Sequence, residues 1–189
     1  MKKLNLSQDV FDLYDQYAHN RLDRREFVER LKMYAVGGLT VPLILEYLLP
    51  NYDDKQQVRL NDPRLNTETI TYDSPKGAGQ MKGELSLPLN KKKKLPAIVI
   101  VHENPALKPH MAQDGRRAAI AGFISLAPDA LTPLGGYPGT DDEGRTMQSK
   151  RDRNEILEDF IAAFYHLKSH PECDGNIGVV GFCFGGLGR

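Results

Sequence analysis

The sequence predicts an α/β fold, a mostly parallel sheet with helices on both faces, preceded by a helical extension. Three observations carry this. Residues 1 to about 50 read as helices with no strand signal, and a polar linker follows them. From about residue 65, short apolar runs rich in β-branched residues alternate with amphipathic helical stretches. The final apolar run, Ile177 to Val180, enters a glycine-rich turn of the kind that joins a strand to a helix. The expected division is therefore 1–64, helical extension and linker, and 65–189, the α/β part.

Each element has a local reason. Val10, Leu13, Tyr14 and Tyr17 recur at helical spacing, and Asp23 with Glu26 three residues later forms a capping box that starts a second helix carrying Phe27, Leu31 and Tyr34. Gly37-Gly38 and Pro42 break or kink the chain beyond that helix. Asn51 to Asn66 is polar, contains Asp62-Pro63, and reads as a linker wrapped over the next unit. Thr67–Tyr72 and Met81–Leu87 flank the turn residues Ser74-Pro75-Lys76-Gly77, which predicts a β-hairpin. Ala97–Val101 is continuously apolar, as a central parallel strand buried on both faces requires. Met111–Ala121 is expected as a helix stopped by Gly122, Phe123–Ala127 as a strand, Asn154–Lys168 as a helix and Ile177–Val180 as the last strand.

Composition narrows the function. With 189 residues, 40% of them hydrophobic and 26% charged, the chain has ordinary globular make-up. Lys and Arg number 25 against 25 Asp and Glu, so no global charge draws it to nucleic acid or an anionic membrane. Lys91 to Lys94 read as a solvated turn between apolar segments. Cys173 and Cys183 lack Cys-x-x-Cys spacing, which disfavours a disulfide framework or a thiolate metal site and suits free thiols in the cytoplasm. Pro42 and Glu46 interrupt the apolar stretch from Tyr34 to Leu49, leaving no membrane span. Arg24-Arg25 followed by that stretch resembles a twin-arginine export signal, the alternative localisation; the capping box at Asp23 is the competing structural explanation.

In open α/β sheets ligands bind beyond the carboxyl ends of the strands. Three segments meet there: His102-Glu103-Asn104, Pro128-Asp129-Ala130 and Gly181-Phe182-Cys183-Phe184-Gly185-Gly186. The last spells a nucleophile elbow with cysteine in place of serine, its flanking glycines allowing strand and helix to approach. A dinucleotide fingerprint fails for want of glycine at Phe182 or Cys183, and a P-loop fails because Leu187, not lysine, follows Gly186. A buried, inert thiol is the plain alternative for Cys183.

Glu103 follows an apolar strand, where a carboxylate is costly unless paired or protonated. The expectation is a desolvated carboxylate of raised pKa that partners the Cys183 thiol at rest; the alternative is a side chain turned into water. Backbone N–H groups of Asn104 and Phe184 are candidate oxyanion-hole donors. Asp129 precedes the nucleophile, whereas the fold's order puts the triad acid after it, so Asp129 is expected to shape its loop. His166 and His170 at i, i+4 are explained by a helix C-terminus better than by a metal, and His110 is expected to begin a helix.

The segments Val99–Asn104, Phe123–Asp129 and Gly178–Gly186 together resemble the dienelactone hydrolase family over about residues 65 to 189. The helical leader resembles an extension found in one bacterial branch. The resemblance implies an α/β-hydrolase fold and a Cys-Asp-His triad that opens enol lactones through an acyl thioester. It further implies Cys183 as nucleophile, Glu103 as its resting partner, a small ester or lactone substrate, and neither cofactor nor metal. Where members commonly carry Arg-Gly after the asparagine, this chain has Pro105-Ala106, and proline restricts Asn104 to extended conformations. The triad acid and histidine are expected after Arg189, on a complementary C-terminal segment. The chain is thus read as the N-terminal part of a hydrolase, inactive by itself; the alternative is a non-catalytic remnant or binding partner.

Overall fold

Aromatic and aliphatic residues at helical spacing organise the first of two units. The computed structural model describes residues 4, 6–18, 21–48, 57–103 and 106–181, and the chain separates into Met1–Asp54 and Lys55–Arg189. Helix α1 (Gln8–Ala18) buries Val10, Leu13 and Tyr17. Helix α2 (Arg24–Leu31) begins where the Asp23 carboxylate accepts the Glu26 backbone N–H at 2.8 Å, the N-cap half of the expected capping box, while the Glu26 carboxylate accepts from Arg30; Arg24 and Arg25 lie in the first turn. It buries Phe27, whose ring stacks on Tyr17 with centroids 4.6 Å apart. Gly37 and Gly38 adopt positive φ before α3 (Val41–Leu48), which buries Ile44 and Leu48 and carries Pro42 in its first turn, where the missing N–H costs nothing. No helix among the described residues is long and apolar enough to cross a membrane.

The second unit is a five-stranded sheet with order β1-β2-β4-β3-β5. β1 (Leu65–Ser74) and β2 (Gly79–Pro88) form the expected hairpin, paired from Leu65 with Pro88 to Ser74 with Gly79. β2 runs antiparallel to β4 (Ile124–Pro128), while β3 (Leu95–Val101) is parallel to both β4 and β5 (Cys173–Gly181). The apolar run of β3 is central, as predicted. Ala97, Val99 and Val101 share one core with Ile124 and Leu126 and with Ile156, Phe160, Ala163 and Leu167 from one helix, Arg153–Lys168. Ile98 and Ile100 cluster with Met111 of α4 (Pro109–Ile120) and with Ala127. The two helices therefore cover opposite faces, and each fully buried Val, Leu, Ile or Phe contributes about 1.5–3 kcal/mol.

One helix was not anticipated. α5 (Asp141–Gln148) starts at Thr140, whose hydroxyl accepts the Glu143 N–H at 3.4 Å and donates to the Glu143 carboxylate at 2.8 Å. The helix Arg153–Lys168 is accordingly α6. Residues 57–64 are fastened to α4: the Gln57 and Val58 N–H groups donate to the Gln113 side-chain oxygen, and Arg116 donates to the Val58 carbonyl at 3.0 Å and to Glu84 at 2.6 Å.

Gly83 is fixed by close approach. A Cβ there would lie 2.9 Å from the Ala127 carbonyl and 3.1 Å from the Pro128 Cα on the paired strand. Gly83→Ala is expected to lower the unfolding free energy by about 1–3 kcal/mol through forced separation of β2 and β4, a loss readable in urea unfolding.

Candidate active site

The three parallel strands end side by side, and β3 supplies the first side chains beyond its carboxyl end. His102 is fully buried. Its Nε2 lies 3.1 Å from the Ala130 backbone nitrogen; an N–H can only donate, so Nε2 is unprotonated and Nδ1 carries the hydrogen. Nδ1–H donates to the Glu103 carbonyl at 2.7 Å. Burial pushes the imidazole down to about 4, so at neutral pH it is an uncharged strut between the ends of β3 and β4.

Ala130 is held from its other side as well. Its carbonyl accepts from Arg151, which pairs at 2.8 Å with Asp159, 1% exposed on α6. Asp159 also accepts from the Ser74 hydroxyl at 2.6 Å and the Ala78 N–H at 2.9 Å, at the tip of the hairpin. A buried carboxylate with an arginine and two further donors is well compensated for desolvation. The sequence reading missed this network. Its signal was an acid on the apolar face of α6, three residues after Ile156 and four before Ala163.

Glu103 is neither protonated nor turned into water. Its Oε1 accepts from His110 Nε2 at 3.2 Å and from Lys108 Nζ at 3.0 Å. The His110 hydrogen bond and the Lys108 charge outweigh burial and hold the carboxyl down to about 2. The expected raised pKa is therefore corrected: two donors five and seven residues onward reverse the effect of desolvation. Lys108 caps α4, and His110 lies in its first turn, as expected.

Asp129 shapes its loop as anticipated, accepting the Leu131 N–H at 3.0 Å; burial raises its carboxyl against that bond and those from neighbouring backbone groups. It lines a cleft of about 530 Å³ with Glu84, Arg116 and Tyr137, on the α4 and β2 side and apart from Glu103. His166 and His170 lie at the end of α6. The His170 Nδ1 accepts the Glu172 N–H at 3.3 Å, and no group of three or more metal-ligating side chains occurs among the described residues. Cys173 is buried and free. Asn104, Cys183 and Phe184 lie outside the described residues. The last pair between β3 and β5 joins Val101 to Gly181, and Glu103 follows two residues beyond Val101.

A mixed sheet with helices on both faces is the α/β architecture expected from the sequence. A model described as the dienelactone hydrolase family matches residues 81–188, more than half of the chain, and the chain belongs to that family. A second model, described as YqhI-like, matches residues 1–35. Hydrolase fragment YghX of Escherichia coli K12 is 46% identical over 114 residues, which are 60% of this chain and 97% of that protein. Carboxymethylenebutenolidase of Pseudomonas sp. strain P51 is 31% identical over 127 residues, covering 64% of this chain and 52% of that protein. The solved structure of m3DLH superposes with a TM-score of 0.56 at 28% identity, covering 65% of this chain and 51% of the other. The dienelactone hydrolase-like promiscuous phosphotriesterase P91 from metagenomic libraries superposes at 0.52 with 26% identity, over 65% and 51%. The chain thus spans about half the length of the carboxymethylenebutenolidase and of these two structures.

Proposed function

We propose that the chain carries the nucleophile half of a carboxylic ester or lactone hydrolase site. The Cys183 thiolate attacks the substrate carbonyl carbon, the ester C–O bond breaks with departure of the alkoxide or enolate, and water then cleaves the thioester to acid and free thiol. Backbone N–H groups of Asn104 and Phe184 stabilise the oxyanion. Glu103, charged at rest, accepts the hydrogen of the neutral thiol. The observation that carries this reading is the register pairing Val101 with Gly181, with an ionised carboxylate two residues beyond one strand and a cysteine two residues beyond the other. The acid and histidine that complete the triad come from a complementary segment that follows the nucleophile in family order.

Hydrolysis of p-nitrophenyl acetate tests this. The polypeptide 1–189 by itself is expected to give at most one acylation per chain, because an unassisted thiol stays mostly neutral near its ordinary pKa of about 8.5. Adding the C-terminal half of the Pseudomonas carboxymethylenebutenolidase is expected to give multiple turnover that Cys183→Ser abolishes. Turnover that survives Cys183→Ser would overturn the assignment. A second reading, a non-catalytic remnant or binding partner, is favoured by the near full-length match to YghX, itself described as a fragment; it stands if no complementary half restores turnover.

Glu103 has its own measurement. Removing a negative charge beside the thiol favours the thiolate, so Glu103→Gln is expected to speed alkylation of Cys183 by iodoacetamide several-fold while leaving Cys173 unchanged. Equal rates at Cys183 would show that the two groups do not meet.

A further inference from the structure

Lys108 is an unusual place for an ammonium. Its side chain is only 9% exposed, yet its Nζ lies 3.0 Å from Glu103 Oε1 and 3.3 Å from Asp141 Oδ2. The two carboxylates come from different parts of the fold: Glu103 lies two residues past β3, and Asp141 opens α5. Asp141 is itself oriented, since the Tyr137 hydroxyl donates to its other oxygen at 2.8 Å. Backbone geometry fixes where the lysine starts, because Lys108 is the extended N-cap residue of α4 and Pro109 follows it.

We infer that Lys108 is a positioning residue of this site, its ammonium enclosed by the Glu103 and Asp141 carboxylates so that it keeps the group beyond β3 charged and ties it to the first turn of α5. The contacts are independent of the proposed chemistry; calling them part of a hydrolase site rests on that reading. Burial works against the charge on Lys108, yet the two carboxylates hold it above the ordinary lysine value. Other polar groups around the cluster among the described residues include His110, which shares Glu103 Oε1, His102 beside it, and Arg145, which pairs with Asp142 at 3.2 Å. His110 alone offers Glu103 a hydrogen bond but not a permanent charge. Lysine supplies the charge and, through its second partner, the link to α5.

This arrangement makes Glu103 an acceptor only. On the proposed function it would take the hydrogen of a neutral thiol without donating one in return. A lysine that merely filled space would leave the titration of Glu103 untouched when replaced by methionine, which preserves most of the stem.

Carbon-13 NMR of glutamate carboxyls in the whole chain, with Glu103 assigned from Glu103→Gln, reads the difference. In the native sequence Glu103 is expected to stay charged above about pH 4; in Lys108→Met its proton affinity should rise roughly tenfold or more, toward the ordinary glutamate value. Lys108→Arg should keep it low. An unchanged Glu103 titration in Lys108→Met would overturn the inference and assign the effect to His110. If Lys108→Met fails to fold, Asp141→Asn carries the test: amide hydrogens of residues 141–148 should exchange faster while Glu103 stays charged. Unchanged exchange there would equally overturn it. The functional reading fails by a different result, an unaltered alkylation rate of Cys183 in Glu103→Gln.

Discussion

Replacing Asp159 with alanine is expected to destabilise the sheet unit by about 3 kcal/mol, because it leaves the buried Arg151 guanidinium with only the half-exposed Glu155 carboxylate, 3.3 Å away. The same change strips the Ser74 hydroxyl and the Ala78 N–H of their acceptor. Arg151→Met should cost a similar amount, since Asp159 is then a buried charge without a cation, held only by the Ser74 hydroxyl and the Ala78 N–H. The double variant Arg151→Met/Asp159→Leu distinguishes this from general sensitivity: with no charge left to desolvate, it should be more stable than either single variant. Urea unfolding of the three proteins gives the answer, and a double variant weaker than both singles would show that the network's geometry matters more than its charges.

Acid should unfold the same unit in two stages. Folded His102 protonates near 4, against an ordinary value of 6.5, so between those values unfolding takes up a proton. Its contribution is complete above pH 6.5 and declines as pH falls to about 4, by about 3 kcal/mol in all. Glu103 comes next: the His110 hydrogen bond and Lys108 lower its carboxyl from 4.5 to about 2, so its contribution is complete above about pH 4.5 and is lost as pH drops through that interval. Glu84 and Asp129 run the other way, for burial raises both carboxyls and protonation favours the folded state. Unfolding free energies measured across pH should therefore fall from about 6.5 downward, and His102→Gln should flatten the upper stage. A native profile flat between pH 6.5 and 4 would mean that His102 is not buried neutral.

The sheet was legible because its strands carry their environment in their composition. Ala97–Val101 is apolar without alternation, and a strand covered on both faces needs just that. The hairpin and α4 announced themselves through turn residues and Gly122. α5 was missed because its residues, Asp141 to Gln148, contain almost nothing apolar, although the Thr140 and Glu143 capping box was there to read. Glu103 was correctly picked out as a costly carboxylate, but its charge state depended on where Lys108 and His110 would turn at the start of α4. Spacing along the chain does not state that. The Asp159 network lay further out of reach, since its partners sit at the hairpin tip and before α6 and meet only when the sheet has formed.

That last separation has a kinetic meaning. The Ser74 and Asp159 side chains are 85 residues apart in sequence, and Ala78 and Asp159 are 81 apart. Closing loops of that length is entropically expensive before any compensating contact exists, so these bonds belong to the end of folding, after the local hairpin and the α4 and β4 pairing have formed. Interactions absent from the transition state slow unfolding without speeding folding. The buried aspartate thus acts as a latch on the lifetime of the native state: Asp159→Ala should leave the refolding rate almost unchanged and put nearly all of its effect into faster unfolding.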